Sequence, residues 1–233
     1  MGRYPFQSPS EYFQLLGLNL KVKALSCLES IKVISKYYSN PAFFKIDLYL
    51  LSTYLFNSPF GLSKEFLLQK RELDIYTFGE TSLTTMDLIS KKCHISVRDV
   101  VYELGCGRGR TCFWLNHFIG CRVVGIDYVP AFIQRANQTK AKFNVEEVEF
   151  RLEDFIDSDF KEATFIYLYG TCYSASFLRR FIKKIEALPQ KVKIITVSYP
   201  LTTYQSSPSF EVIKHFTAPF TWGTAEVYFQ QKI

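Results

Sequence analysis

Between Val101 and Arg110 an apolar run leads straight into three glycines at alternate positions, Val-Tyr-Glu-Leu-Gly105-Cys106-Gly107-Arg108-Gly109-Arg. The apolar run reads as a buried strand. Glycines spaced this closely let the backbone turn sharply and approach a ligand with no Cβ in the way. An apolar stretch through Trp114 and Leu115 follows as a helix, so the turn lies at a helix N-terminus, where orphan N–H groups point outward. A strand, a glycine turn and a helix in that order demand a parallel sheet covered by helices.

The rest of the chain repeats the alternation. Arg122–Asp127 reads as a strand and 130–143 as a helix beginning at Pro130, with strands at 148–152, 163–168 and 193–197. Phe177, Leu178, Phe181, Ile182 and Ile185 line one side of a helix whose other side carries Arg179, Arg180, Lys183 and Lys184. Segments 210–216 and 225–230 pair as a terminal hairpin. The expected class is α/β: a Rossmann-like, seven-stranded, mostly parallel sheet with a C-terminal antiparallel hairpin. Such a sheet binds its ligand at the carboxyl ends of the strands, where strand order reverses.

An N-terminal helical lobe over residues 1–75 precedes this unit, which then runs over residues 76–233. Ser8-Pro9-Ser10-Glu11 reads as a capped helix start. Val22, Leu25, Leu28, Ile31 and Ile34 repeat in steps of three over a second helical stretch, 21–38, which Asn40-Pro41 ends. A third helix, 42–56, stops at Ser58-Pro59-Phe60-Gly61. Lys45 and Asp47 interrupt its apolar run, which falls short of the ~20 residues of a spanning helix. The lobe shapes an acceptor entrance or a contact between copies, so a homo-oligomer is one expectation.

Charge excludes little but is informative. The net charge is +6, and residues 1–75 hold nine Lys/Arg against six Asp/Glu, so no basic stripe or tail marks a nucleic-acid binder. The six cysteines include no C-x-x-C pair and no His at metal-ligand spacing, so no metal is expected. Scattered in apolar stretches, they point to a reducing cytoplasm. The first residues lack the charged start and apolar block of a secretory leader.

Three acidic positions carry the chemical reading. Dinucleotide enzymes space their glycines G-x-G-x-x-G; here position 110 is Arg and the third glycine is Gly109. Glu103, two residues before Gly105, disfavours a pyrophosphate but suits a ligand with an ammonium group. Asp127, at the end of the next strand, is placed to accept both ribose hydroxyls. Glu153-Asp154-Phe155 follows the third strand, where Asp154 takes an adenine amino group and Phe155 packs on the ring. The ligand with all three parts is S-adenosylmethionine. Cys106 and Tyr128, inside and beside these motifs, join the candidate cofactor contacts.

These motifs resemble those of class I S-adenosylmethionine-dependent methyltransferases over roughly residues 76–233. Within that superfamily, Phe78-Gly79-Glu80-Thr81-Ser82 looks like the tyrosine-glycine-glutamate-threonine loop of the disruptor-of-telomeric-silencing histone lysine methyltransferases. Leu152–Phe155 is similar to their adenine site. The resemblance implies that Glu80 and Thr81 contact the methionine end of the cofactor, and that an amine, a protein lysine among the options, accepts the methyl group. It also departs from the family: Phe78 replaces the tyrosine, Tyr169-Gly170-Thr171 replaces an asparagine pair, and the basic nucleosome-binding tail is missing.

The acceptor is less legible. The Asp/Asn-Pro-Pro-Tyr/Phe motif of nucleic-acid amino-methylating enzymes is absent, as is the Pro-Cys pair of cytosine-carbon methylating enzymes. Tyr167, Tyr169, Tyr173 and Tyr199 fall at strand ends on the expected catalytic side, where aromatic rings suit an amine through cation–π attraction. Tyr169 is the candidate catalytic residue. Cys172 has no base beside it in sequence and reads as a packing thiol, and His94, His117 and His215 are isolated. A small-molecule acceptor and a non-catalytic scaffold that binds S-adenosylmethionine are the alternatives.

Overall fold

The computed structural model describes residues 9–72, 78–170 and 173–233, with side chains from residue 16 onward. Helix α1 (Pro9–Tyr37) is followed by α2 (Pro41–Ser52), α3 (Pro59–Lys70) and α4 (Leu83–Lys92). Strand β1 (Val100–Leu104) then leads into α5 (Arg110–Trp114), which widens into a π-turn over Leu115–Ile119. The chain continues through β2 (Arg122–Asp127), α6 (Pro130–Phe143), β3 (Val148–Leu152), β4 (Phe165–Leu168), α7 (Ala175–Ile185) and β5 (Lys193–Val197). Strands β6 (Phe210–Phe220) and β7 (Gly223–Lys232) close it.

The seven strands form one sheet in the order β3-β2-β1-β4-β5-β7-β6. Strands β1 to β5 pair in parallel, and β7 runs antiparallel to both β5 and β6. Leu104 is in register with Ile126 on one side and Leu168 on the other, so the order reverses at the end of β1. This is the expected Rossmann-like architecture, and the glycine turn sits at its switch point. Strand alternation builds two cores: Val101, Phe165, Tyr167 and Ile195 pack on the face covered by α4, α5 and α6. Tyr102, Ile166, Leu168 and Ile194 pack on the other face, against Leu178, Phe181, Ile182 and Ile185 of α7.

The first helices differ from expectation in three ways. The two anticipated N-terminal stretches are one helix, because Gly17 costs a helix only ~1 kcal/mol and no proline interrupts it; the Ser8 cap lies outside the described residues. The apolar row chosen as its buried face is mostly turned to solvent, with Leu28, Ile31 and Ile34 more than half exposed. Among its described side chains α1 buries Val33 and Tyr37, because its contact with α4 is set on that side by polar partners. Thr84 N–H and Oγ1 donate to Glu29 at 3.1 and 2.5 Å, and Lys36 pairs with Asp87. Asn40 does not merely end α1: its Oδ1 caps α2 by accepting from Ala42 and Phe43 N–H at 3.1 and 3.2 Å, an interaction worth ~1 kcal/mol.

Helices α3 and α4 were not anticipated. Ser58-Pro59, taken as a stop, is a start: Ser58 Oγ accepts from Gly61 N–H at 3.1 Å and Pro59 occupies the first turn. Helix α4 is capped in the same way by Ser82, whose Oγ accepts from Thr85 N–H at 3.3 Å.

Candidate active site

The glycine turn is built by backbone bonds to β2. Gly105 and Cys106 N–H both donate to Ile126 O, at 2.8 and 3.0 Å, and Gly109 N–H closes on Cys106 O at 2.9 Å. Gly107 adopts φ 54° and aims its N–H at Asp127 Oδ2, 2.8 Å away. Gly109 serves a different end: at φ 73°, any Cβ there would lie 2.3 Å from the Phe150 ring of β3. So Gly109 lets α5 approach the sheet, and it is not part of the cavity wall.

Asp127 is buried, and both its carboxylate oxygens are held by backbone amides, Oδ2 by Gly107 and Oδ1 by Val129 at 2.9 Å. Burial raises its pKa to about 6, against the pull of those amides. Each oxygen keeps a second lone pair for a ligand donor. A cavity of about 600 Å³ opens directly above it, within the ~300–1,000 Å³ of small-molecule sites. Gly105, Gly107, Asp127, Tyr128, Phe155 and Tyr169 all line this cavity, so it gathers six of the twelve candidate residues.

The other six are placed differently. Glu103 shares the β1 face of Val101 and is therefore turned under α5, where Thr111 Oγ1 and Cys112 Sγ bond its carboxylate at 2.5 and 3.1 Å. There burial raises its pKa to about 7. It is not among the residues that line the cavity, and its carboxylate is engaged by Thr111 and Cys112 instead. The thiol of Cys106 points the same way, close enough that a Cβ on Gly125 would meet it at 3.0 Å. Asp154 is exposed and accepts from Ile156 N–H at 2.9 Å, a turn of its own rather than a wall of the cavity. Glu80 lies over Gly107 but is taken up by a two-pronged ion pair with Arg108, whose Nε donates at 2.7 Å. Thr81 is buried and shares a 2.5 Å hydrogen bond with Tyr167. Gly109 is the packing glycine already described.

The cavity also has walls the sequence did not announce. Ser63 and Leu67 come from α3, Phe132 from α6, and Trp222 from the turn between β6 and β7. The Trp222 indole donates to Tyr169 Oη at 2.6 Å, and Tyr169 in turn lies where any Cβ on Gly79 would stand, 2.6 Å from its ring. Phe155 packs edge-on against Tyr173, Phe177 and Phe181. The Tyr199 hydroxyl donates to Gly170 O at 2.5 Å and steadies the loop after β4. Only spatial folding joins Trp222 to Tyr169, more than fifty residues away. Ser58-Pro59 was the one signal that could have brought α3 in. Cys172, read from the sequence as a packing thiol, lies outside the described residues, while Cys93, Cys106, Cys112 and Cys121 are buried free thiols.

Fold and site together define a class I methyltransferase: this strand order, a glycine turn at the end of β1 and a carboxylate at the end of β2 facing one cavity. A methyltransferase-domain family matches residues 95–227, and the chain belongs to that family. S-adenosylmethionine is the methyl donor that the family implies. The sterol 24-C-methyltransferase of Eremothecium gossypii is 31% identical over 93 residues, which are 38% of this chain and 25% of that protein. The Saccharomyces cerevisiae enzyme is 31% identical over 90 residues, 37% and 24% of the two chains. The match therefore spans about a quarter of the length of these relatives. Among solved structures, an RNA methyltransferase from Salinibacter ruber bound to S-adenosyl-L-homocysteine superposes with TM-score 0.55 at 22% identity, over 66% of this chain and 94% of that one. Geranyl diphosphate C-methyltransferase from Streptomyces coelicolor gives 0.52 at 13% identity, over 65% and 76%.

The residues present fit this cofactor. Asp127 offers paired acceptors to ribose hydroxyls, Phe155 an apolar wall to adenine, and Gly105 and Gly107 a surface free of Cβ atoms for the remainder.

Proposed function

We propose that the protein transfers a methyl group from S-adenosylmethionine to a small, predominantly apolar acceptor held in the cavity, with residues 1–75 a helical lobe and 76–233 the methyltransferase unit. The observation that carries this is the position of Asp127, pinned by two amides at the floor of a cavity whose other lining side chains, among the described residues, are uncharged. When bound, the cofactor supplies a methyl group already activated by positive sulfur. The chain's part is to hold both partners in line and keep water out. Asp127 and the glycine turn fix one end. Phe78, Tyr169, Tyr173 and Trp222 surround the other with rings, and the bond from Trp222 sets where the Tyr169 hydroxyl stands. Burial pushes the Tyr173 hydroxyl well above its ordinary pKa, so it is no base near neutral pH. The sterol enzyme, by name, methylates an apolar molecule, and the geranyl diphosphate enzyme a small molecule whose prenyl tail is apolar and whose diphosphate is charged, which supports the small-molecule reading.

The same ring of aromatics supports a second reading, an amine-bearing acceptor such as a protein lysine, held by cation–π attraction. The likeness of Phe78–Ser82 to the lysine methyltransferase loop belongs with it. Incubating the protein with methyl-labelled S-adenosylmethionine and cell extract separates the two. Label in the organic-soluble fraction is the expected result, whereas label only on precipitated protein favours the lysine reading. Absence of any S-adenosylhomocysteine above a protein-free control refutes both.

A further inference from the structure

The two arginines that flank Gly109 point out of the glycine turn, toward the helices before it. Arg110, the first residue of α5, donates from Nε and Nη2 to the two oxygens of Asp47, both at 2.7 Å. Asp47 sits in the middle of α2 and is almost fully buried, at 1% exposed. Tyr38, in the link between α1 and α2, donates its hydroxyl to the same carboxylate at 2.8 Å. Arg108 pairs with Glu80 and lies 5.5 Å from the ring of Tyr54, just past the end of α2. Arg135 of α6 covers the same ring at 4.5 Å. Thus α2 grips the turn at Arg110, and Glu80 with Tyr54 holds it at Arg108, all from outside the 95–227 stretch that the family matches.

A turn with three glycines at positive φ is costly to order, because glycine loses the most backbone freedom on folding. Its own polar ties are few, chiefly those to Ile126 O and Asp127. A bidentate guanidinium–carboxylate pair fixes direction as well as distance, and a ligand site gains affinity when its frame is set before the ligand arrives. A charge pair buried this deeply is weak evidence for stability, since apolar replacements of similar volume often serve as well. Its geometry is what such a replacement would not reproduce.

We propose that Asp47 is a positioning residue for the cofactor: through Arg110 it holds the Gly105–Gly109 turn in the conformation that receives S-adenosylmethionine. This rests on the cofactor reading above. The test uses the full chain, calorimetric titration with S-adenosylhomocysteine, and thermal melts of each variant. Asp47→Asn should weaken affinity about tenfold, or ~1.4 kcal/mol. In Asp47→Leu/Arg110→Met no buried charge is left unpaired; the melting temperature should return toward wild type while affinity stays about tenfold low. Recovery of affinity together with stability in that double variant would overturn the proposal, because the pair would then be structural only. Should Asp47→Asn fail to fold, Tyr38→Phe, which removes one bond and no charge, should still weaken binding about two- to threefold at an unchanged fold, and unchanged affinity there counts against the proposal. A wild-type protein that binds no S-adenosylhomocysteine contradicts the cofactor reading itself, an outcome distinct from the variant results.

Discussion

The glycine turn has an upper side facing the cavity and an underside facing α5, and each holds one buried carboxylate. Asp127 above is held by backbone amides and keeps acceptor capacity open to the cavity. Glu103 below is held by side chains, Thr111 and Cys112, and sees no cavity at all. In both, burial drives the pKa up, to about 6 and about 7. The same physical shift thus accompanies opposite placements: one group faces the cavity and the other closes a structural joint. A raised carboxylate pKa alone therefore does not mark a binding residue; the direction of its unused lone pairs does.

The largest effect expected from breaking this arrangement is at the packing glycine. Gly109→Ala places a Cβ into the Phe150 ring and forces a non-glycine residue to φ 73°, and overpacking plus left-handed strain should cost about 2–4 kcal/mol in denaturant unfolding. A cost under ~0.5 kcal/mol, the size of a surface substitution, would mean that α5 does not lie this close to β3.

Next is the titration of Asp127. Only the ionised carboxylate offers all its acceptors to ribose hydroxyls, so affinity for S-adenosylhomocysteine should fall about tenfold, ~1.4 kcal/mol, as pH drops from 7.5 to 5. The midpoint should lie near 6. Asp127→Asn should bind weakly and without that pH dependence, and an unchanged pH profile in this variant would assign the titration elsewhere.

For stability the sign is the reverse. Both carboxylates bind their protons more tightly in the folded chain, so their contribution is complete below pH ~4 and is lost as pH rises through about 6 and about 7. Glu103→Gln removes the buried charge and should raise the melting temperature at pH 8 by roughly 2–4 °C. It should leave S-adenosylhomocysteine affinity within about twofold, or ~0.4 kcal/mol. A tenfold loss of affinity would restore Glu103 as a direct contact of the methionine amine. Smallest is Trp222→Phe, which deletes the hydrogen bond to Tyr169: about 1 kcal/mol of stability and no change in cofactor affinity, with any loss confined to turnover of the acceptor.

The sheet was legible because its signals are local. Strands β1, β2, β4 and β5 are short apolar runs that end at a glycine, an aspartate or a turn, and α6 begins at Pro130 as read. The cavity floor was legible for the same reason, since Gly105, Gly107, Asp127 and Phe155 all follow strand ends. Strand alternation, visible in Val101 and Tyr102, already decides that Glu103 faces α5; reading the residue by its distance from the glycine missed that. The walls were not legible, because Trp222, Phe132 and Leu67 reach the site only through pairing and packing over long separations. The α1 row failed because a helix with apolar residues on several sides does not announce which side will be covered. There the polar partners Glu29 and Lys36 set the contact instead.

The central claim is most directly tested by calorimetric titration of the full chain with S-adenosylhomocysteine at pH 7.5, wild type beside Asp127→Ala. Saturable binding to the wild type, weakened in the variant by about 1.5–3 kcal/mol, is what a carboxylate bonded to ribose hydroxyls predicts. No binding to the wild type, or equal affinity in a folded Asp127→Ala variant, would contradict it.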